Sequence, residues 1–164
     1  MTARIEPHAG GVLDNDYPYT DKRTVEGHLV CVLGARADDR RLELTVHPSR
    51  AVRCHEIHEV LMVEDPEAAP TRTVGRVAYA GCVEIARGGM ILIHDRVVVA
   101  GRDIGTVVGF DETHLPNHMN IAVLAAGELR NGEELGLEIN DSVSFVMGDG
   151  YRRERLERTL ARLD

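Results

Sequence analysis

From Val25 onward, short runs of β-branched and apolar residues recur at intervals of about 8–12 residues, each ended by glycine, proline or a polar cluster. Alternation of period two marks a half-buried strand, and strands spaced this closely leave no room for intervening crossover helices. Leu42, Leu44 and Val46 alternate with Glu43, Thr45 and His47. Val74 to Ile85 reads as a long strand with a bend at Gly81. Met90–Ile93, Asp95–Val99 and Ile104–Gly109 follow, the last two joined by a short glycine-containing link that predicts a hairpin. His118–Ala125 and Leu135–Val146 are read as further strands, with Asn140–Asp141 at a bulge or tight turn. Ala51–Val63 is ambiguous between helix and strand, and strand is preferred. Seven to nine such strands predict an all-β fold, a small closed or nearly closed β-barrel with a short C-terminal helix. The parallel strand–helix–strand alternation of a dinucleotide-binding fold is absent.

The chain of 164 residues is the size of one domain. Residues 1–23, with Gly10–Gly11, Asp14–Asp16 and Tyr17–Tyr19, read as a flexible tail. Lys22, the only lysine, falls in that tail, which argues against Schiff-base chemistry. Residues 24–149 form the barrel domain. Residues 150–164 are expected to form an amphipathic helix, with Leu156, Leu160 and Leu163 on one face and Glu154 paired to Arg158.

Charge and cysteine usage narrow the function. The net charge is −8 and only 4% of residues are aromatic, so neither a phosphate-binding stripe nor a base-stacking platform is expected: no nucleic acid. No apolar run approaches the length of a membrane span, and no secretory leader is read at the N-terminus. Three cysteines, an odd number, argue against a disulfide framework and for a cytoplasmic, reducing location. Cys82 is read as a small buried residue.

Eight histidines raise the question of chemistry. The densest cluster runs from Gly109 to Ile121 and holds Asp111, Glu112, His114, Asn117, His118 and Asn120. It lies between two expected strands, on a loop anchored to rigid sheet, where binding and catalytic groups concentrate. The spacing of His114 and His118 puts both on one face of a helical turn, although Pro116 forbids a regular helix. An imidazole beside a carboxylate is the arrangement of general acid–base catalysis. His114, His118 and Glu112, with His94 from a neighbouring strand, are therefore expected to carry proton transfer. Asn117, Asn120, Asp111 and Arg102 are expected to hold substrate.

The reaction predicted is an isomerisation, elimination or cyclisation of a small polar metabolite, with no required cofactor, in a homo-oligomer that covers its open sheet edges. The alternative is a metal-dependent enzyme in which His114 and His118 hold one divalent ion, zinc or iron, with His94, Asp111 or Glu112 as third ligand. A second cluster, Cys54, His55 and His58, is a weaker metal candidate. On a strand, His55 and His58 face opposite ways, and an exposed polar face is the simpler reading.

The stretch from about Val77 to Phe145 resembles the glucitol/sorbitol-specific enzyme IIA component of the sugar phosphotransferase system. The resemblance rests on Ile104–Gly109, a polar segment, His118 opening a strand, and the late strand from Leu135 to Phe145. It implies a small β-barrel and a non-catalytic carrier or binding module. That family carries its phosphoryl group on a histidine near the position of Val77–Gly81, where this chain has Tyr79 and no histidine.

Overall fold

In the computed structural model, the described residues are 19–149 and six isolated positions nearer the termini. The expected amphipathic helix over 150–164 and most of the expected tail lie outside them. Twelve strands follow in order: β1 (Val25–Val32), β2 (Arg36–Ala37), β3 (Leu42–Glu43), β4 (Ser49–Val52), β5 (Ile57–Val63), β6 (Thr73–Val74), β7 (Val77–Arg87), β8 (Gly89–Leu92), β9 (Arg96–Val99), β10 (Arg102–Asp111), β11 (Asn120–Ala125) and β12 (Ser142–Val146). The main sheet runs β1-β12-β9-β10-β11-β5-β7, and β7 pairs back onto β1, so the barrel is closed. Closure leaves the seven-strand ring without the open edges that were one ground for expecting a homo-oligomer, the other being the C-terminal helix. Among the described residues no helix is long and apolar enough to cross a membrane.

A closed ring of seven strands must contain a parallel pair. Each antiparallel pairing reverses direction, and a ring closes only after an even number of reversals. The parallel pair is β5–β11, and the other pairings around the ring are antiparallel. Parallel strands are found buried on both faces, and this pair obeys the rule. Val60 and Met62 of β5 and Ile121 and Val123 of β11 point into the barrel core. Leu61, Val63 and Ala122 point outward into a second apolar cluster built with Leu42, Leu44, Ala68, Val74 and Val77. The short β3–β6 ribbon belongs to this outer layer. Burial on both sides explains the unbroken apolar run Val60–Val63, which made this stretch hard to read from periodicity.

The hairpin between β9 and β10 turns on Ala100 and Gly101, both at positive φ (48° and 77°), the two-residue turn that matches strand twist. The register slips at Gly81, where β7 is bulged against β5, as the expected bend requires. One strand expectation fails outright, and the expected strand over Leu42–Val46 is confined to Leu42–Glu43. Leu135–Leu137 is not strand; β12 begins only at Ser142. Leu129, Leu135 and Leu137 instead join the core with Met62, Ile104, Val32 and Ala125, and so plug the end of the barrel where β1, β5 and β11 finish. Their alternating apolar pattern served a capping loop rather than a sheet. Gly132 anchors that plug: its N–H donates to the Leu33 and Tyr79 carbonyls, and a Cβ there would stand 1.9 Å from the Ala80 carbonyl oxygen.

A second correction concerns Lys22. Its ammonium is buried, 2.8 Å from Asp95 Oδ2, and donates to the Phe145 carbonyl at 3.0 Å. Residues 19–23 therefore belong to the body, with Tyr19 donating to Ser49 Oγ at 2.7 Å.

Candidate functional site

The histidine loop spans residues 112–119, between β10 and β11, at the end of the barrel opposite the plug. Its base is a cross-strand pair: Asp111 closes β10 and faces Asn120, which opens β11. Asn120 Nδ2 donates to Asp111 Oδ1 at 2.8 Å. Thr113 binds the same carboxylate through its hydroxyl at 2.8 Å and its N–H at 3.3 Å. Asp111 is 1% exposed and Asn120 0%, so both clamp the loop rather than present atoms to a substrate. Above the clamp the chain makes a single tight turn containing a cis Leu115–Pro116 bond, with the Asn117 and His118 N–H groups donating to the His114 carbonyl. That turn sets His114 and His118 side by side, their ring centroids 4.8 Å apart and their planes tilted by 51°. The four-residue spacing acts as anticipated, within one turn and without a helix.

The carboxylate that meets these imidazoles is Glu59, not Glu112. Glu59 lies directly beside Asn120 in the parallel β5–β11 pairing, and its N–H donates to the Met119 carbonyl at 3.0 Å. His118 Nε2 stands 3.5 Å from Glu59 Oε2 and 3.1 Å from His114 Nδ1. One donor atom from each of Glu59, His114 and His118 lies within 4.8 Å of the others. Glu59 is buried, His118 half-buried and His114 exposed, so the group opens to solvent on the His114 side. The alternation along β5 and β11 puts Glu59 and Asn120 on the outward face, with Leu61 and Ala122, so the site is on the barrel wall.

Hydrogen bonding fixes where the lone pairs point. His118 Nδ1 is 2.6 Å from Asn117 Oδ1; donation there leaves the lone pair on Nε2. Turning the Asn120 amide over would set its oxygen against the Asp111 carboxylate, so its NH₂ faces Asp111. The same NH₂ lies 3.5 Å from His114 Nδ1. Two imidazole nitrogens and a carboxylate oxygen thus converge on one small volume. Such a group can share a proton or hold a cation.

Other expected residues go elsewhere. Glu112 accepts from Arg50 Nη1 at 2.8 Å, which makes Arg50 the arginine tied to this loop. Arg102 begins β10 at the plugged end, donating to the Leu135 carbonyl at 2.9 Å, and so stands roughly 30 Å along the strand from Asp111. His94 occupies the turn between β8 and β9 at φ 71°, its N–H bonded to the Val107 carbonyl, and is not among the three converging side chains. Asn117 orients His118.

Cys54, His55 and His58 do not converge either. Cys54 contacts the Ala86 carbonyl, and His55 pairs with Glu84 at 3.0 Å. His58 is buried, contrary to the expected exposed face. Burial lowers its pKa, with Glu56 pulling the other way less strongly. It accepts the Met119 N–H at Nδ1 and meets Glu56 through Nε2 at 3.2 Å, holding β5 against the end of the histidine loop. Glu59 escaped the sequence reading because it lies 55 positions before His114. Its signal was a charge heading an apolar strand, where burial demands a partner.

No characterised protein and no solved structure matches the chain. A family model does match, over residues 19–146, and so takes in the whole barrel and the histidine loop: the chain belongs to DUF6917, a family of unknown function.

Proposed function

We propose that the chain is a metal-dependent enzyme acting on a small polar metabolite, with one divalent ion, zinc or iron, held by Glu59, His114 and His118. The observation that carries this reading is the convergence of one carboxylate oxygen and two imidazole nitrogens within 4.8 Å. In a tetrahedral zinc site, neighbouring nitrogen ligands stand roughly 3.3 Å apart, from metal–nitrogen bonds of about 2.0–2.1 Å. The 3.1 Å between His114 Nδ1 and His118 Nε2 fits that spacing. Two histidines and one carboxylate are the ligand set of open catalytic zinc sites and of non-haem iron sites. The supports around them match the pattern that tunes such ligands: His118 is oriented by Asn117, and the loop is clamped by Asp111, Asn120 and Thr113.

Glu59, His114 and His118 would hold the ion, which would supply a polarising charge and make water acidic enough to act near neutral pH. Glu112 and Arg50, paired at the start of the same loop, supply a carboxylate and a guanidinium for orienting a polar substrate. The 3.1 Å imidazole contact also favours a second reading, in which His114 and His118 share a proton and perform acid–base chemistry without metal.

The test is turnover of a panel of small hydroxy, keto and amino acids, followed by NMR, with metal-loaded and chelator-treated protein. Metal-dependent turnover lost in His118→Ala supports the enzyme. Turnover equal in both preparations moves the chemistry to the imidazole pair. Ligand binding without turnover by either makes the chain a binding module.

A further inference from the structure

Cys31 and Cys82 are direct partners across the antiparallel β1–β7 pairing, the seam that closes the barrel. Directly opposed residues in such a pair have Cα atoms about 4.5–5.5 Å apart, inside the range a disulfide spans. Neighbouring residues press the two strands together. Gly81 has no side chain, and a Cβ there would stand 2.3 Å from the Cys31 carbonyl oxygen. A bulge between Leu29 and Cys31 turns Cys31 back into register beside Cys82. Both residues are free and half-buried, neither sealed in the core nor fully open. The third cysteine, Cys54, is exposed and contacts the Ala86 carbonyl instead.

We infer that Cys31 and Cys82 are a reversible redox pair, forming a cross-strand disulfide across the barrel seam when exposed to a small-molecule disulfide such as oxidised glutathione. One protein thiolate attacks a glutathione sulfur, the glutathione disulfide bond breaks, and one glutathione leaves as its thiol. The second protein thiolate then attacks the mixed disulfide and releases the other glutathione. Two protein thiols are oxidised, one disulfide is reduced, and the two protein protons end on the departing thiols. Transient disulfides of this kind are the form compatible with a reducing compartment. The inference stands apart from the metal reading. It touches that site only because Cys82 faces Glu59 across β5–β7.

The experiment equilibrates the full chain and its Cys54→Ser variant in glutathione buffers of rising oxidised fraction, traps free thiols by alkylation and maps peptides by mass spectrometry. The expected result is a Cys31–Cys82 cross-linked peptide lacking two hydrogens, formed in both proteins and reversed by dithiothreitol. It should be absent from Cys31→Ser and accompanied by a rise of about 5–15 °C in thermal midpoint, because the bond ties distant parts of the chain. If Cys31 and Cys82 in the Cys54→Ser protein stay alkylatable in fully oxidised buffer, or carry only separate glutathione adducts, the inference is overturned. That arm uses a variant at an exposed position, so it holds even if the Cys31 variant fails to fold.

Discussion

Removing the charge of Lys22 should unfold this protein at a markedly lower temperature. Lys22 and Asp95 are 2.8 Å apart with side-chain exposures of 4% and 1%, so solvent screens neither partner. At an effective dielectric of about 20, unit charges at that distance attract by about 6 kcal/mol. Desolvation offsets part of this, and losing one partner of such a pair costs about 3–5 kcal/mol because the other charge stays buried. For Lys22→Met, which keeps the aliphatic length, this corresponds to a fall in thermal midpoint of about 6–20 °C. The double variant Lys22→Met/Asp95→Asn removes both charges and retains an acceptor for the Leu92 N–H that Asp95 now binds. It should recover to within about 2 kcal/mol of the parent.

The pH dependence gives a second, independent handle on the same pair. Burial holds the Asp95 carboxyl above its ordinary value, with Lys22 pulling it down. A raised folded-state pKa means that the folded state binds the proton more tightly than the unfolded one. The stability this contributes is complete below the unfolded pKa and is lost as pH rises through the folded pKa. Without Lys22 the carboxyl rises further. The stability gap between parent and Lys22→Met should therefore narrow as pH falls from about 7.5 to about 5. Thermal and urea unfolding followed by circular dichroism measures both quantities. A single variant within about 1 kcal/mol of the parent, or a gap that does not change with pH, would show that Lys22 and Asp95 do not act as a buried ion pair.

Other substitutions test the turns and the clamp. Ala100→Gly should raise stability by roughly 0.5–1 kcal/mol in urea titration, because Ala100 sits at φ 48°, where a side chain is strained. Gly132→Ala should lower the thermal midpoint by several degrees, since its Cβ would stand 1.9 Å from the Ala80 carbonyl oxygen at the base of the plug. Asn117→Ala should weaken metal affinity by about 10–100-fold in competition titration while leaving the fold intact, because it removes only the hydrogen bond that orients His118.

Much of the barrel was legible because strand alternation and turn residues are local signals. The Ala100–Gly101 hairpin, the bend at Gly81 and the end of β11 at Ala125 follow from a few neighbouring residues each. What failed has a common physical cause. Leu135 and Leu137 are apolar because they plug the barrel, and an apolar pattern does not say which layer it faces. Lys22 looked like tail because its partner, Asp95, is distant in sequence. The candidate site divides the same way. His114, His118 and the orienting Asn117 share one turn and were readable together. Glu59 comes from a parallel neighbouring strand, and Glu112, nearer in sequence, turns instead to Arg50. Arg102 stands at the hairpin end of β10, a full strand length from the histidine loop, so its charge alone did not make it a neighbour of that loop.

In the proposed metal site, Glu59 is the third ligand beside His114 and His118. The most direct measurement is elemental analysis of tag-free protein purified without chelator, alongside Glu59→Gln and the His114→Ala/His118→Ala double variant. The prediction is about one zinc or iron per chain, as for a mononuclear three-ligand site, with the metal lost in the double variant and reduced at least tenfold in affinity in Glu59→Gln. Parent protein that holds no metal, and takes up none when zinc or ferrous iron is titrated into it, would contradict the claim. So would stoichiometric metal that survives in both variants.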